Sequence, residues 1–148
     1  MTGKRLSIGR LARASGCKVQ TIRYYEQIGL LPEPQRTSGN QRLYRQADLE
    51  RLQFIRHSRE LGFSLDAIRE LLALAEHPRQ PCEAADRIVR EHLREVESRL
   101  SRLHALKTEL ERMVRECAGA EVSQCRVIEV LADHSQCLHD HHTTKAAE

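Results

Sequence analysis

Three cysteines carry the chemistry that this sequence can do: Cys82, Cys117 and Cys125. Cys117 and Cys125 flank the short glycine-containing stretch "AGAEVSQ", so one small loop can present both sulfurs to a common ion. Cys82 lies 35 residues before Cys117, which is five heptads. At a rise of about 1.5 Å per residue the two would sit about 50 Å apart on one helix, too far to share an ion within a chain. In an antiparallel pair of such helices the start of one lies beside the end of the other. Cys82 of one subunit would then meet Cys117 and Cys125 of its partner, giving two symmetric intersubunit sites. Thiolates select soft metals. Three of them around a divalent cation leave a net charge of −1, the same charge that two leave around a monovalent one.

The other cysteines read differently. Cys17 sits in a turn between two short helical patterns and is expected to pack as a small apolar residue. Cys137 stands with His134, His139, His141 and His142 in the last fifteen residues. That cluster is either a source of extra metal ligands or part of a solvated tail.

The elements that must position these groups follow from periodicity and punctuation. Ser7 can cap a first short helix carrying Ile8, Leu11 and Ala12. "SGCK" supplies a turn, and "VQTIRYYEQI" a second helix that Gly29 can end. Two helices joined by a tight turn make a helix-turn-helix, whose second helix enters the major groove of DNA in many proteins. Pro32 and Pro34 exclude a helix in the segment 31–44, where "SGN" can turn between two short strands. This arginine-rich hairpin would form a wing. Helices are expected over 46–61 and 65–76, with Gly62 ending the first and Ser64 capping the second. Pro78 and Pro81 then interrupt the chain. From Glu83 to Cys117 neither Gly nor Pro occurs, and Val89, Leu93, Val96, Leu100, Leu103, Leu110 and Val114 recur three and four apart, with Lys107 breaking the pattern beside Leu106. A heptad seam of this length predicts a coiled coil, and a second copy of the chain is its simplest partner. Two helical turns are expected over 126–133. The resulting division is 1–76 for a DNA-binding domain, 77–117 for a linker and dimerisation helix, 118–133 for a metal-binding loop and short helix, and 134–148 for a tail.

Bulk properties agree with this mainly α reading. Aromatics make up 3% of the 148 residues and there is no Trp, which favours helices over a sheet-rich fold. No apolar run approaches the roughly 20 residues of a membrane span, and the first residues lack the apolar core of a secretion signal. A cytoplasmic protein with reduced thiols is therefore expected. The net charge of +3 conceals an asymmetry: residues 1–75 carry 13 Lys/Arg against 7 Asp/Glu, and the remainder 11 against 14. A basic front half is the footprint of a polyanion partner. Lys18, Thr21, Arg23 and Tyr24 fall on or beside the second helix, and Arg36, Asn40, Arg42 and Tyr44 on the wing, where phosphate contacts are expected. No C-x-x-C, phosphate loop, H-E-x-x-H or nucleophile–base pattern is present, so an enzyme is not expected.

The string running from "LSIGRLARASGCKVQTIRYYEQIGLL" to "FSLDAIRELL" closely resembles the DNA-binding domain of MerR-type transcription regulators, and the likeness continues through the long helix and cysteine loop. The resemblance implies a homodimer of winged helix-turn-helix domains joined by an antiparallel coiled coil. It also implies action at a promoter with an overlong spacer, where effector binding distorts the DNA so that RNA polymerase can use it. Copper(I)-type members resemble this chain in the loop but typically have Ser in place of Cys82, which points here to a divalent soft ion: cadmium, lead, zinc or mercury. Zinc-type members typically carry a second cysteine where this chain has Ala118, and a histidine inside the loop. Zinc prefers four ligands, so for zinc Glu121 or the tail would have to complete the set. A copper(I)-responsive regulator and a metal-buffering protein remain the alternatives.

Overall fold

The computed structural model describes residues 5–117, 119, 121–133 and 135. Strand β1 (Leu6–Ser7) leads directly into helix α1 (Ile8–Ser15), and Ser7 caps that helix by accepting from the Arg10 amide at 3.4 Å. Helix α2 (Val19–Gln27) follows after a turn at Gly16. Its end reverses through Gly29, at φ +71°, so that the amides of Leu30 and Leu31 both return to the Tyr25 carbonyl at 2.9 and 3.0 Å. Strands β2 (Gln35–Arg36) and β3 (Arg42–Tyr44) form the expected hairpin, closed by Thr37 N–H to the Gln41 carbonyl and by Asn40 in a left-handed conformation.

The sheet has a third strand that the sequence does not announce. β1 pairs antiparallel with β3, Leu6 opposite Tyr44, giving the order β1-β3-β2. Two residues are too few to show an alternation, and Ser7 is legible only as a helix cap. The pairing ties the wing to the start of α1.

Helix α3 (Gln46–Glu60) opens with the Arg45 amide donating to Asp48 Oδ2 at 2.7 Å, and α4 (Leu65–Ala75) opens on Ser64, whose hydroxyl accepts from the Ala67 amide. The core between these elements is built from Leu11, Ile22, Tyr25, Leu30, Leu31, Tyr44, Leu52, Ile55, Phe63, Ile68 and Leu72, joined by Ile88 from the start of the helix that follows. Each buried aliphatic side chain there contributes about 1.5–3 kcal/mol of transfer free energy. Phe54 on α3 and Leu61 just after it lie outward.

Helix α5 (Glu83–Glu116) is a single uninterrupted element of 34 residues. The chain nevertheless divides into two compact units, one running to Ile88 and one beginning at Val89. The second unit adds a short 3-10 turn (Val122–Gln124) and helix α6 (Arg126–Ala132), with Met113 and Val130 buried. The seam residues are open: Val89, Leu93, Val96, Leu100, Leu103, Leu110 and Val114 are all exposed, Val114 by 74%. Lys107, which interrupts the seam, pairs with Glu111 at 2.8 Å one turn on, and Leu106 is half-buried.

The turn between α1 and α2 rests on Gly16. Its φ is +70°, and a Cβ added there would lie 1.8 Å from Arg56 Nη1, the group that donates to the Ser15 carbonyl at 2.8 Å. Gly16→Ala should therefore destabilise the protein by about 1–3 kcal/mol. Arg56→Ala should relieve only the steric part, so the two substitutions should be non-additive in a double-mutant cycle followed by denaturant unfolding. Strict additivity would show that Arg56 does not occupy the turn.

Candidate DNA interface and metal-binding loop

Helix α2 and the hairpin supply one exposed basic face. Lys18 precedes α2, and Arg23 and Tyr24 project from it, with Tyr24 47% exposed and its ring 5.9 Å from that of Tyr25. Thr21 is half-buried on the same helix. Arg36 is exposed on β2 and donates from Nη1 to Asn40 Oδ1 at 2.8 Å, which links the strand to the hairpin turn. A cleft of about 410 Å³, lined by Ser7, Ile8, Gly9, Arg23, Asn40, Gln41 and Arg42, runs between the start of α1, α2 and the turn.

Two of the residues expected at phosphates are committed elsewhere. Tyr44 is wholly buried, and its hydroxyl donates to Glu26 Oε1. Its place opposite Leu6 turns the ring into the core, so the expectation of a phosphate contact is corrected to a structural role. Arg42 is half-buried and donates from Nε to Glu26 Oε2 at 3.2 Å. Glu26 itself was not singled out in the sequence, where a lone carboxylate on a basic helix carries no pattern.

The basic surplus is also partly internal. Arg51 donates to the Leu30 carbonyl at 2.8 Å, Arg56 to Ser15 at 2.8 Å, Arg59 to Phe63 at 2.8 Å and Arg69 to Ile28 at 3.0 Å. The Ser15 and Ile28 carbonyls stand at the ends of α1 and α2, which the helices leave without partners, and those of Leu30 and Phe63 lie in the turns that follow α2 and α3. The guanidiniums also place positive charge at the negative ends of the helix dipoles. Charge counting credits them to a polyanion, whereas geometry assigns them to the fold.

At the other end of the chain the loop brings its two sulfurs together. Cys117 continues α5, its amide donating to the Met113 carbonyl at 3.1 Å. Cys125 caps α6, and its carbonyl accepts from the Glu129 amide at 3.1 Å. The Cys125 pKa is lowered, chiefly by the Ile128 amide; desolvation opposes this, and the Val127 amide and the Cys117 thiol lower it further by smaller amounts. Glu116 and Arg126, the residues just outside the two cysteines, form an ion pair at 3.0 Å. Arg112 on α5 reaches Glu116 at 3.4 Å, and Arg126 also holds Glu129 at 3.0 Å. The loop ends are thus fastened by charge rather than by a core.

These donors suit a soft cation in part. Two cysteines at the ends of one short loop, one of them biased toward thiolate, form the beginning of a thiolate site. Among the described residues no group of three His, Cys, Asp or Glu within one chain could hold a metal ion. Cys82 is exposed immediately before α5, its carbonyl accepting from the Asp86 amide at 2.9 Å, and Glu121 is exposed in the loop. His134, Cys137, His139, His141 and His142 lie outside the described residues.

Residues 6–75 match the model of the MerR helix-turn-helix regulatory protein family, and residues 49–113 match a MerR DNA-binding model. The chain belongs to the MerR family. It is 42% identical over 127 residues to the HTH-type transcriptional regulator ZntR of Escherichia coli, covering 84% of this chain and 90% of that protein. It is 40% identical to the mercuric resistance operon regulatory protein of Serratia marcescens, covering 76% of each. Among solved structures it resembles the transcription regulator PbrR691 from Ralstonia metallidurans in complex with lead(II), at 40% identity and a TM-score of 0.76 over 85% of this chain and 98% of that one. This MerR-family chain is accordingly a DNA-binding transcription regulator and not an enzyme. Among its described residues no helix is long and apolar enough to cross a membrane.

The lowered Cys125 pKa has a direct consequence. Thiolate is the reactive form, so in metal-free, reduced protein the alkylation of Cys125 should rise at a pH below the ordinary thiol value of about 8.5. Because two amides remain after Cys117→Ser, that variant should shift the profile back only slightly. Peptide mass spectrometry of iodoacetamide-treated samples reads both. A Cys125 profile at or above that of a free cysteine would show that the amides do not reach its sulfur.

Proposed function

We propose that this MerR-family regulator binds promoter DNA as a homodimer and activates transcription by distorting that DNA when a divalent soft metal occupies its cysteine loop. The observation that carries this reading is the pairing of Cys117 and Cys125 at the two ends of one short loop, with the Cys117 thiol among the groups that lower the Cys125 pKa, beside an exposed apolar helix. The seam supports an antiparallel coiled-coil dimer, because an open stripe of Val and Leu on one helix requires a second surface to bury it. Cys82 and Cys117 are in phase on that seam, which supports a site made of Cys117 and Cys125 of one subunit and Cys82 of the partner subunit. Cadmium, lead and mercury suit three sulfurs. Zinc requires a fourth donor, for which Glu121 and the residues Cys137, His139, His141 and His142 are the candidates. The names of relatives agree with a metal effector: a heavy metal-dependent transcription regulator of Rhizobium meliloti is 34% identical over 130 residues. RNA polymerase at the promoter and a cytoplasmic location complete the proposal.

DNA contact is assigned to Lys18, Thr21, Arg23 and Tyr24 from α2 and to Arg36 and Asn40 from the hairpin. A metal buffer would not need this basic face. Copper(I) is the specific rival, since the two sulfurs of one chain are enough for a monovalent ion; the third, Cys82, favours a divalent one.

Transcription in vitro from a promoter that the protein selects, across cadmium, lead, zinc, mercury and copper at controlled free concentrations, tests the function. Activation by one or more divalent soft ions is expected. Activation by copper(I) alone would replace the effector, and metal-independent DNA occupancy without activation by any of them would overturn the reading.

The shared site has its own test. Cys82→Ser homodimers and Cys117→Ser/Cys125→Ser homodimers should each bind cadmium poorly. A heterodimer of the two chains should recover one complete site, with thiolate-to-metal absorption and about one tight metal per dimer. A folded heterodimer that recovers no tight site would leave each site within a single chain.

A further inference from the structure

The wing and α2 meet through one carboxylate. Glu26 is nearly buried, its side chain 10% exposed, and both of its oxygens are used: Oε1 accepts from the Tyr44 hydroxyl and Oε2 from Arg42 Nε at 3.2 Å. Burial first, and then the bond to Glu26, push the Tyr44 hydroxyl far above its ordinary pKa, so it stays a donor. Arg42 and Tyr44 are two apart on β3 and share one face of the strand.

The strand register shows why this carboxylate is needed. Arg36 on β2 stands directly opposite Arg42 on β3. Like charges facing each other across a strand pair repel. The two arginines have unequal partners: Arg42 has the full negative charge of Glu26, whereas Arg36 has only the neutral amide oxygen of Asn40 at 2.8 Å. Arg36 is exposed and Arg42 is not. A carboxylate on a helix that approaches phosphates would normally repel them. Here its charge is cancelled within the protein.

We propose that Glu26 is a positioning residue for DNA docking: it withholds Arg42 from the phosphates and clamps the wing to α2, so that the two reach the duplex as one piece. Phosphate charge is then met by Arg23 and Arg36. This rests on the reading of residues 5–75 as the duplex-binding unit.

Salt dependence separates the two arginines, because each phosphate neutralised contributes about 0.9 to the slope of log K against log [salt]. The probe is a duplex of about 30 base pairs that the wild-type full-length protein selects from a random-sequence pool, with affinity read by fluorescence anisotropy over roughly 50–300 mM KCl. Arg36→Ala should reduce the slope by about 0.9. Arg42→Ala should weaken binding several-fold with the slope unchanged. Glu26→Gln keeps an acceptor for Tyr44 but frees Arg42, so the slope should steepen by about 0.9, and adding Arg42→Ala should return it to the wild-type value. A merely structural clamp would move affinity and melting temperature but not the slope. The inference is overturned if Arg42→Ala alone removes about 0.9 from the slope, or if the steepening in Glu26→Gln survives removal of Arg42. Should Glu26→Gln fail to fold, Glu26→Ala takes its place with the same expected steepening, and a loss of about 0.9 from the slope in Arg42→Ala still overturns the inference. A wild-type protein that selects no duplex would instead overturn the DNA-binding reading, and this assignment with it.

Discussion

An apolar stripe that its own helix cannot bury is the constraint on which this structure depends. Val89, Leu93, Val96, Leu100, Leu103, Leu110 and Val114 follow the heptad of α5 and are all exposed. An isolated helix gains little from such residues, since most helical stability in water comes from packing an amphipathic face. Among its described residues the second unit buries two apolar side chains, Met113 and Val130. The first unit, by contrast, buries twelve apolar residues among its elements. Its stability and that of α5 therefore have different sources. One is a domain core; the other waits on a second surface along the seam. A ligand set drawn from two chains would use that same surface, coupling assembly to metal binding.

Arginine does two kinds of work in the basic unit. Some guanidiniums end helices: Arg51, Arg56, Arg59 and Arg69 each donate to a backbone carbonyl near a helix terminus. A guanidinium suits this because its planar fork can hold a carbonyl and a carboxylate together. Arg51 does so, donating to the Leu30 carbonyl from Nε and to Glu76 from Nη1 at 2.8 Å. The turn after α2 is in this way bound to both α3 and α4. Others, Arg23 and Arg36, remain exposed on α2 and the hairpin. Net charge cannot distinguish these uses; only the position of each side chain relative to a helix end can.

The legible parts of the chain were those with a period or a stop signal. Ser7 and Ser64 cap the helices they precede, the hairpin closes around "SGN", and α5 runs within one residue of the interval free of Gly and Pro. Pairing between distant segments was not legible. β1 is two residues long and finds its partner 38 positions away, too short for alternation and too far for a turn signal. The same cause misplaced Tyr44: alternation says that β3 has two faces, but only the pairing with Leu6 says which one is inside. In the loop, the spacing of Cys117 and Cys125 was legible as a pair of donors. The Glu116–Arg126 bridge was not, because it joins residues ten apart across an irregular segment.

That bridge bears on how the loop can respond. A bridge that holds the loop ends together limits the rearrangement the two cysteines need to share an ion, so less of the binding free energy is spent on ordering them. The Cys125 sulfur carries the further bias of two amides that favour thiolate, and metal binding to thiols releases protons, so an anionic ligand is partly prepared in advance. Glu116 and Arg126 place one negative and one positive group next to the cysteines, leaving the local charge balanced before a metal arrives. Adding a cation to two thiolates gives a neutral group if it is divalent, and a net −1 if it is monovalent. Only a third thiolate returns the divalent site to −1, beside the Glu116–Arg126 pair. Donor count and the neighbouring ion pair are thus one electrostatic problem. In the proposed shared site, Cys82, rather than any property of the loop alone, would separate a divalent effector from a monovalent one.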